Sequence, residues 1–532
     1  MAESPGLAVR RGALARPSPG ANDLPVVWTT GLAGGNPWAV PFLPPSLLRP
    51  GAPHDSFFAL GPVATIMKRL AVVGSGISGL AVAHALAGEA RVSLFEAGSH
   101  FGGHTHTVDV TLNGVTHGVD TGFLVFNHRT YPELVRLFGE LQVQTAPSEM
   151  SFSVQVPAAP GQRRLEWSGN NLNSVFTQRS NLLRPEFLRM LADLLRFNKL
   201  ATAIAARNQP GEQPGEQHSN QHGNQHSRQH SRQHSNPGAE LAEPIGEFLV
   251  RHRFSAAFTN WYLLPMIGCI WSCPTDQMLQ FPVGTMIRFC HNHGLLQVAD
   301  RPQWHTVVGG ARNYVRKMLP SVSDKRLNTP VRSVRRLPGA GVALATDQGT
   351  EIFDEVVLAC HSDQSLALLA DATAVERAVL GAVRYQPNRT VLHTDTAVLP
   401  RQPRAWAAWN YARAAQQGRE QAAVCLHYLI NRLQPLPWPQ PVLVSLNPDP
   451  AHPPDPAKVL HSFDVSHPVF DRAAVHAQGL LPQIQGRQGV WFCGAWTRYG
   501  FHEDGLLSAQ AVVRGWRSSN HQAAAALPLR AA

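Results

Sequence analysis

The chain has 532 residues, of which 44% are hydrophobic and 15% are charged. This length is too great for one ordinary hydrophobic core and predicts two or three domains. The formal net charge of +10 suggests nucleic acid as a partner, but the basic residues are scattered, with no dense Lys/Arg run. This distribution argues against nucleic-acid binding. An anionic small molecule or an acidic membrane surface suits a diffuse positive field equally well.

The six cysteines form no Cys-x-x-Cys pair and no spacing typical of a disulfide framework. Their pattern indicates a reducing, cytoplasmic location. Arg10 and Arg11 are not followed by a long apolar run, so neither a Sec nor a twin-arginine signal is predicted.

Residues 1–66 are rich in Pro and Gly and show no sustained periodicity, so we expect little fixed structure there. A strand pattern begins at Lys68, directly after Met67. Our hypothesis is that the first 66 residues are dispensable and that Met67 is the true start. The apolar stretch 70–88 contains three internal glycines and several polar residues. It therefore predicts a strand, a turn and a helix rather than a transmembrane segment.

A Gly-x-Gly-x-x-Gly sequence connects this first strand to a helix predicted over 77–86. Gly74 allows a tight turn, Gly76 lets a pyrophosphate approach bare backbone, and Gly79 lets the helix pack closely on the strand. The phosphates are expected at the helix N-terminus, beside Ile77 and Ser78, where unpaired N–H groups and the helix dipole favour negative charge. The pattern predicts a Rossmann-type nucleotide site.

The second strand, predicted over 91–95, ends in Glu96. A carboxylate at this point accepts hydrogen bonds from the ribose hydroxyls and repels a 2′-phosphate. The nucleotide is therefore NAD or FAD rather than NADP. Gly102 and Gly103 follow after five residues.

Further elements follow in chain order. Helices are predicted over 131–141 and 185–206, and the low-complexity insert 209–238, with its Gln-His-Ser repeats, is expected to be a disordered loop. Residues 241–298 are apolar and aromatic. Short strands are predicted over 327–337, 342–347 and 352–360, a helical and Pro-rich stretch over 365–483, and a final strand over 490–493 before a closing helix.

The predicted fold class is α/β, with a Rossmann-type cofactor-binding domain and an inserted substrate domain that is α+β or mostly helical. The predicted organisation is a disordered extension 1–66, cofactor-domain segments 67–125, 300–365 and 484–520, and substrate-domain segments 126–299 and 366–483.

The glycine pair resembles that of the flavin-containing amine oxidase and phytoene desaturase superfamily, whose pattern Glu-x5-Gly-Gly marks FAD. In that superfamily an Arg usually follows the second Gly and contacts the diphosphate, whereas this chain has His104. One branch is especially similar: bacterial NAD/FAD-binding proteins associated with cyclopropane fatty acid synthases. Its motifs are matched by the stretches 103–107, 119–123, 301–304, 309–310 and 500–505.

The resemblance implies that FAD is the cofactor and that a lipid-modifying methyltransferase is a partner. It also implies roles for residues that the fingerprint does not cover. Val331 resembles the valine whose backbone meets adenine, Gly494 lies in a motif that lines the pyrophosphate, and Asp504 begins a helix facing the flavin. The full predicted cofactor set is Gly74, Gly76, Ile77, Ser78, Gly79, Glu96, Gly102, Gly103, His104, Thr105, Val331, Gly494, Asp504, Gly505 and Leu506.

The resemblance also places His502 beside the flavin, and Tyr499 is either an aromatic at the flavin face or a packed side chain; we predict both as catalytic residues. A general base is one role for His502, and helix capping is an alternative role for Asp504. The apolar segment 261–271 either lines a substrate cavity or belongs to the core.

Two histidine pairs, His104 with His106 and His291 with His293, are expected on strand faces. Neither pair has a third ligand at suitable spacing, so no metal site is predicted.

No second phosphate-binding turn for a nicotinamide nucleotide is evident, because Gly339 and Gly341 lie in a short predicted hairpin. This absence favours an oxidase, dehydrogenase or desaturase among FAD-dependent oxidoreductases. The family resemblance, with the apolar segment 241–298, implies an apolar, lipid-like substrate. A true amine oxidase and a flavin-bound accessory protein of a lipid-modifying enzyme are the alternatives.

Overall fold

A computed structural model describes residues 67–158, 163–207, 242–297, 300–414 and 424–525. The described residues all fall within one compact unit, which spans residues 65–532. The predicted extension 1–66 and insert 209–238 lie outside the described residues.

The strands, in chain order, are β1 (Arg69–Val73), β2 (Arg91–Phe95), β3 (Thr107–Leu112), β4 (Val115–Asp120), β5 (Phe126–Asn127), β6 (Thr145–Ser148), β7 (Phe152–Val156), β8 (Leu165–Ser168), β9 (Trp304–Val307), β10 (Asp324–Arg326), β11 (Val331–Leu337), β12 (Gly341–Thr346), β13 (Gly349–Phe353), β14 (Glu355–Leu358), β15 (Arg384–His393), β16 (Trp409–Ala412), β17 (Cys425–Leu429), β18 (Leu443–Leu446), β19 (Val459–Val469) and β20 (Val490–Phe492).

The α-helices are α1 (Ile77–Leu86), α2 (Pro132–Glu140), α3 (Leu172–Val175), α4 (Pro185–Arg207), α5 (Ile245–Arg251), α6 (Ala256–Phe258), α7 (Leu264–Trp271), α8 (Thr275–Leu279), α9 (Val283–Asn292), α10 (Arg312–Met318), α11 (Ser362–Leu368), α12 (Ala374–Leu380), α13 (Ile430–Leu433), α14 (Arg472–Leu480) and α15 (His502–Ala525). A π-helical turn, Thr259–Leu263, leads into α7.

A five-stranded parallel sheet has the order β10-β2-β1-β14-β20. Its central strands are almost fully buried and Val-rich, as expected for a sheet covered on both faces. Helices α1 and α15 pack against each other. Strands from distant parts of the chain therefore meet in one sheet, and the predicted Rossmann-type α/β fold is confirmed.

A second, seven-stranded sheet has the order β19-β15-β18-β17-β16-β7-β8. All of its pairs are antiparallel except β16 with β7. Helices α4 to α9 contribute to a large apolar core that also includes residues of this sheet.

The prediction of a helical stretch over 365–483 was wrong, because five strands of the seven-stranded sheet, β15 to β19, lie within it. The prolines of this stretch argued against strands, since Pro cannot donate a ladder hydrogen bond. Pro468 lies in the edge strand β19, and Pro387 lies in the part of β15 that pairs with β19 only. Both positions leave one side of the strand free of pairing, so both tolerate Pro.

Two smaller expectations also need correction. The prediction of helices after residue 126 did not include strands β6 to β8. Strands β7 and β8 form one end of the seven-stranded sheet, and β6 pairs with β9 in a separate three-stranded sheet. The single strand predicted over 352–360 is two strands, because β13 ends at Phe353 in an antiparallel hairpin and β14 joins the parallel sheet.

Candidate active site

One large cavity, of about 1580 Å³, extends from the carboxyl edge of the parallel sheet to the seven-stranded sheet and its helices. Open α/β sheets bind nucleotides at the carboxyl ends of their parallel strands. The cavity is large enough for a dinucleotide and a substrate together.

The turn between β1 and α1 forms one end of the cavity. A Cβ added to Gly76 would meet no atom within 4 Å, so its backbone faces open space, whereas a Cβ on Gly79 would lie 1.8 Å from the carbonyl oxygen of Gly74. Gly79 therefore serves the close packing of helix on strand, and Gly76 provides the bare surface. No side chain caps α1 and its first turn contains no acid, so its terminal N–H groups suit an anion.

Glu96 connects the second strand to this turn. Its Oε2 accepts hydrogen bonds from the Ser75 backbone nitrogen at 3.0 Å and from Ser75 Oγ at 2.5 Å, and its Oε1 accepts one from Gly98 N at 2.8 Å. The carboxylate thus has a defined orientation at the cavity wall. Oε2 uses both of its lone pairs within the protein, whereas Oε1 retains one lone pair that can accept a hydrogen bond from a ribose hydroxyl.

The glycine pair Gly102 and Gly103 packs against the turn between β1 and α1. Gly102 N donates to the carbonyl oxygen of Ser75 at 3.0 Å, and a Cβ on Gly103 would lie 3.1 Å from the Cα of Gly76. This loop presents His104, which has an exposed side chain, at the cavity wall. Desolvation by the surrounding protein, and the neighbouring His361, lower the pKa of His104 to about 4.

His104 belongs to a cluster of imidazoles that sequence reasoning missed. Its ring centroid lies 6.1 Å from that of His361 and 5.5 Å from that of His467. Burial lowers the pKa of His361 to about 4 and, with His104 and His361 as neighbours, that of His467 to about 3. These rings come from three separate parts of the chain, so spacing along the sequence gave no signal of their proximity.

His502, at the start of α15, also faces the cavity. Its Nε2 lies 3.0 Å from Thr105 Oγ1 and 3.1 Å from Tyr314 OH, and its ring stacks on Phe123 at 3.8 Å. Burial, with a smaller contribution from His104, lowers the pKa of His502 to about 3. This pKa is far below the working pH at which a general base is most effective.

The other predicted site residues between 499 and 505 do not all line the large cavity. Tyr499 lines the cavity, whereas Asp504 accepts a hydrogen bond from Phe501 N at 3.0 Å and lies in a smaller neighbouring cavity. Burial raises the pKa of Asp504 to about 6. The carbonyl oxygen of Gly505 accepts a hydrogen bond from Ser78 Oγ at 2.9 Å, which joins α15 to the start of α1.

The predicted cofactor residues that line the large cavity are Gly74, Gly76, Ile77, Ser78, Glu96, Gly102, Gly103, His104, Val331 and Gly494. The others do not line it: Gly79, Thr105 and Gly505 contact residues that do, Asp504 lines the smaller neighbouring cavity, and Leu506 is buried in the core.

The other half of the cavity has an apolar wall. The segment 261–271 contributes Tyr262 from the π-helical turn and Met266, Ile270 and Trp271 from α7, while Leu263 and Ile267 are buried in the core. Both interpretations of this segment therefore apply, since some of its side chains line the cavity and others are buried in the core.

The two histidine pairs expected on strand faces lie elsewhere. His104 and His106 are on the loop before β3, and His291 and His293 are at the C-terminal end of α9, because the apolar run from Val283 is helical. Among the residues that the structure describes, no group of three or more His, Cys, Asp or Glu side chains could hold a metal ion. All six cysteines are free.

The parallel sheet, the open glycine turn and the oriented acid define a dinucleotide-binding protein of the flavoprotein type. The chain belongs to the family described as flavin containing amine oxidoreductase, whose sequence profile matches residues 77–392. The protein is accordingly an FAD-dependent oxidoreductase of the amine oxidase-like class. The uncapped helix, the bare Gly76 and the size of the cavity fit that cofactor.

Several solved structures share this fold. A CLA-producing fatty acid isomerase from P. acnes is 13% identical, with a TM-score of 0.57 over 84% of this chain and 98% of the other. A proposed protoporphyrinogen oxidase from Exiguobacterium sp. 255-15 is 16% identical, with a TM-score of 0.56 over 85% and 99%. Cyclohexylamine oxidase from Brevibacterium oxydans IH-35A is 15% identical, with a TM-score of 0.55 over 85% and 100%. No curated protein matches the chain.

Proposed function

We propose that this oxidoreductase oxidises or desaturates a lipid-like molecule that has an apolar chain and an anionic end. The apolar half of the cavity carries the proposal. Its wall includes Phe152, Trp167, Leu194 and Tyr262, and none of the described lining residues between 150 and 304 is Asp or Glu. On strand β19, Asp464 also lines the cavity and pairs with Arg389. An apolar wall of this kind favours an acyl chain, because burial of apolar surface drives its binding.

Arg301 is the single Lys or Arg among the described residues that line the cavity. Its Nε donates to the carbonyl oxygen of Gln297 at 2.8 Å, which leaves the other guanidinium N–H groups able to pair with an anion. A carboxylate at the end of an acyl chain matches this position, since Arg binds carboxylates with two parallel hydrogen bonds.

When bound, FAD supplies the hydride acceptor. The chain's own residues bind the cofactor through the glycine turns and Glu96, and they exclude water from the apolar half. We propose that His502 and Tyr499 orient the reacting part of the substrate. The contacts of His502 with Thr105 and Tyr314 support a fixed ring position.

One structural neighbour is named for a fatty acid and another for cyclohexylamine. The shared fold therefore accommodates both kinds of molecule. The single acid among the described lining residues of the seven-stranded sheet and its helices is Asp464, which is exposed and paired with Arg389, and this favours the fatty acid.

The test is anaerobic reduction of the FAD in the loaded protein by a candidate substrate. Loss of the flavin absorbance (bleaching) measures this reduction. We expect a long-chain fatty acid such as oleate to bleach the flavin, and putrescine and cyclohexylamine to leave it oxidised. Arg301→Gln should raise the oleate concentration for half-maximal bleaching at least tenfold but leave that for methyl oleate unchanged. Arg288→Gln, at an exposed position on α9 that does not line the cavity, is the matched control.

Bleaching by amines alone, with peroxide formed in air, would make the protein an amine oxidase. If neither class of molecule reduces the flavin, an accessory role beside a lipid-modifying methyltransferase becomes the better proposal. A cytoplasmic location, with peripheral contact to a membrane, is part of the lipid proposal, and the six free cysteines support it.

A further inference from the structure

Five leucines in the segment 163–207 are exposed, although large aliphatic side chains are usually buried. They are between 44% and 88% exposed and comprise Leu172, Leu182, Leu183, Leu188 and Leu195. We call them the leucine surface. Contiguous exposed apolar groups commonly mark a site of contact with a protein or a membrane.

The leucine surface is continuous with the mouth of the large cavity. Leu172 and Leu195 are exposed and also line the cavity, and Leu191 and Leu194 on α4 line it beside them. Leu188 and Leu195 are seven residues apart, which places them on the same face of a helix. The exposed stripe of α4 therefore leads directly to the apolar half of the site.

The opposite face of α4 is fully engaged in the core. Phe187, Met190 and Phe197 are buried there. Asp193 fastens the helix, since its carboxylate accepts hydrogen bonds from Ser255 N at 3.0 Å and from Arg196 at 2.9 Å. Because the core holds α4 by this face, its leucine stripe cannot turn inward without loss of these contacts.

The charges around the leucine surface are predominantly positive. Residues 163–207 contain eight Lys or Arg against three Asp or Glu, and Arg163, Arg179 and Lys199 are exposed. Asp193 and Glu166, two of the three acids, are buried. Basic residues beside exposed apolar side chains are complementary to an anionic lipid surface, where each basic group contributes attraction that salt screens.

We propose that the leucine surface and its basic neighbours bind the surface of an anionic phospholipid membrane, with the mouth of the cavity facing the lipid. This inference rests on the proposed lipid substrate, because such contact would deliver an acyl chain from the bilayer to the apolar half of the cavity. None of the helices in the described ranges is long and apolar enough to cross a membrane, so the contact is interfacial.

Vesicle sedimentation tests the proposal with the full-length, FAD-loaded protein. We expect binding to phosphatidylcholine vesicles that contain 30 mol% phosphatidylglycerol, at least tenfold weaker binding to pure phosphatidylcholine, and weaker binding in 0.5 M salt. Leu183→Asp combined with Leu188→Asp should reduce binding to the anionic vesicles at least tenfold. Neither residue lines the cavity. Val375→Asp, at an exposed position on α12 away from this surface, should bind like the wild type.

Equal binding of the double variant and the wild type, or no binding by the wild type, would overturn the proposal. A wild-type dimer that the double variant abolishes, without vesicle binding, would assign the surface to a second copy of the chain. Flavin bleaching by detergent-dispersed oleate should be unchanged in the double variant. The substrate proposal can therefore fail while vesicle binding persists, and vesicle binding can fail while oleate still bleaches the flavin.

Discussion

The carboxylate of Glu96 lies 3.0 Å from the backbone nitrogen of Ser75 and accepts its hydrogen bond. The end of the second strand is thereby joined to the glycine turn that follows the first. Removal of this carboxylate should loosen the turn as well as remove a nucleotide contact, since a hydrogen bond to a charged group contributes about 1.5–3 kcal/mol.

We therefore expect Glu96→Ala to weaken FAD binding roughly ten- to hundredfold, and Glu96→Gln to weaken it less, because the amide oxygen still accepts a bond. Fluorescence titration of the apoprotein with FAD measures both. Equal affinities of wild type and Glu96→Ala would show that the acid serves neither the turn nor the nucleotide.

Gly76→Val should abolish FAD retention while the apoprotein keeps its stability. The backbone at Gly76 has φ −61°, which L-residues adopt freely, and the added carbon meets no protein atom within 4 Å. The side chain therefore obstructs only the space predicted for the pyrophosphate. Gly88→Val is the matched control, because a Cβ there also meets nothing. Flavin content after purification, and apoprotein melting temperature, give the result; a yellow Gly76→Val protein would contradict the predicted site.

His502→Ala should retain FAD and lower the rate of substrate-driven flavin reduction about a hundredfold or more. His502→Gln should recover part of the rate if the ring acts through its contacts with Thr105 and Tyr314. Since burial lowers the pKa of His502 to about 3, the wild-type rate should show no inflection near pH 6.5 from this residue. Stopped-flow absorbance across pH 5–9 tests this, and a wild-type rate in His502→Ala would remove the residue from the site.

His427 should make the folded state sensitive to acid. The side chain is buried in the seven-stranded sheet, 3% exposed, and its Nδ1 lies 2.6 Å from Ser445 Oγ. Burial, and then the neighbouring His393, lower its pKa to about 3, whereas an unfolded chain titrates near 6.5. The unfolded state therefore binds the proton first, so this stabilisation is complete above about pH 6.5 and is lost as the pH falls toward 3.

Between pH 6 and 4 the free energy of unfolding of the wild type should consequently fall more steeply than that of His427→Gln, by about 1.4 kcal/mol per pH unit. Urea unfolding of the apoprotein at several pH values measures the two slopes. His452→Gln, at an exposed position, should keep the wild-type slope. Identical slopes for wild type and His427→Gln would mean that His427 is protonated equally in both states.

The sequence alone determined the nucleotide half of the protein. The first strand, α1, the second strand and Glu96 lie within 30 residues of one another, and each is specified by local pattern: apolar strand residues, glycine spacing and a strand-ending acid. Such signals are recognisable in the sequence because close backbone packing and the approach of a phosphate both require glycine at particular positions. The prediction of FAD, and of the α/β fold, followed from them and from the family resemblance that they carry.

Only the tertiary structure decided the part of the protein built around the seven-stranded sheet. The seven-stranded sheet joins strands from two distant parts of the chain, and its edge accepts prolines that local reasoning assigned to helices and loops. The proximity of His104, His361 and His467, and the exposure of the leucine surface, likewise depend on contacts between remote segments. Strand pairing and side-chain burial are set by such neighbours rather than by intrinsic propensity, which is why no local pattern revealed them.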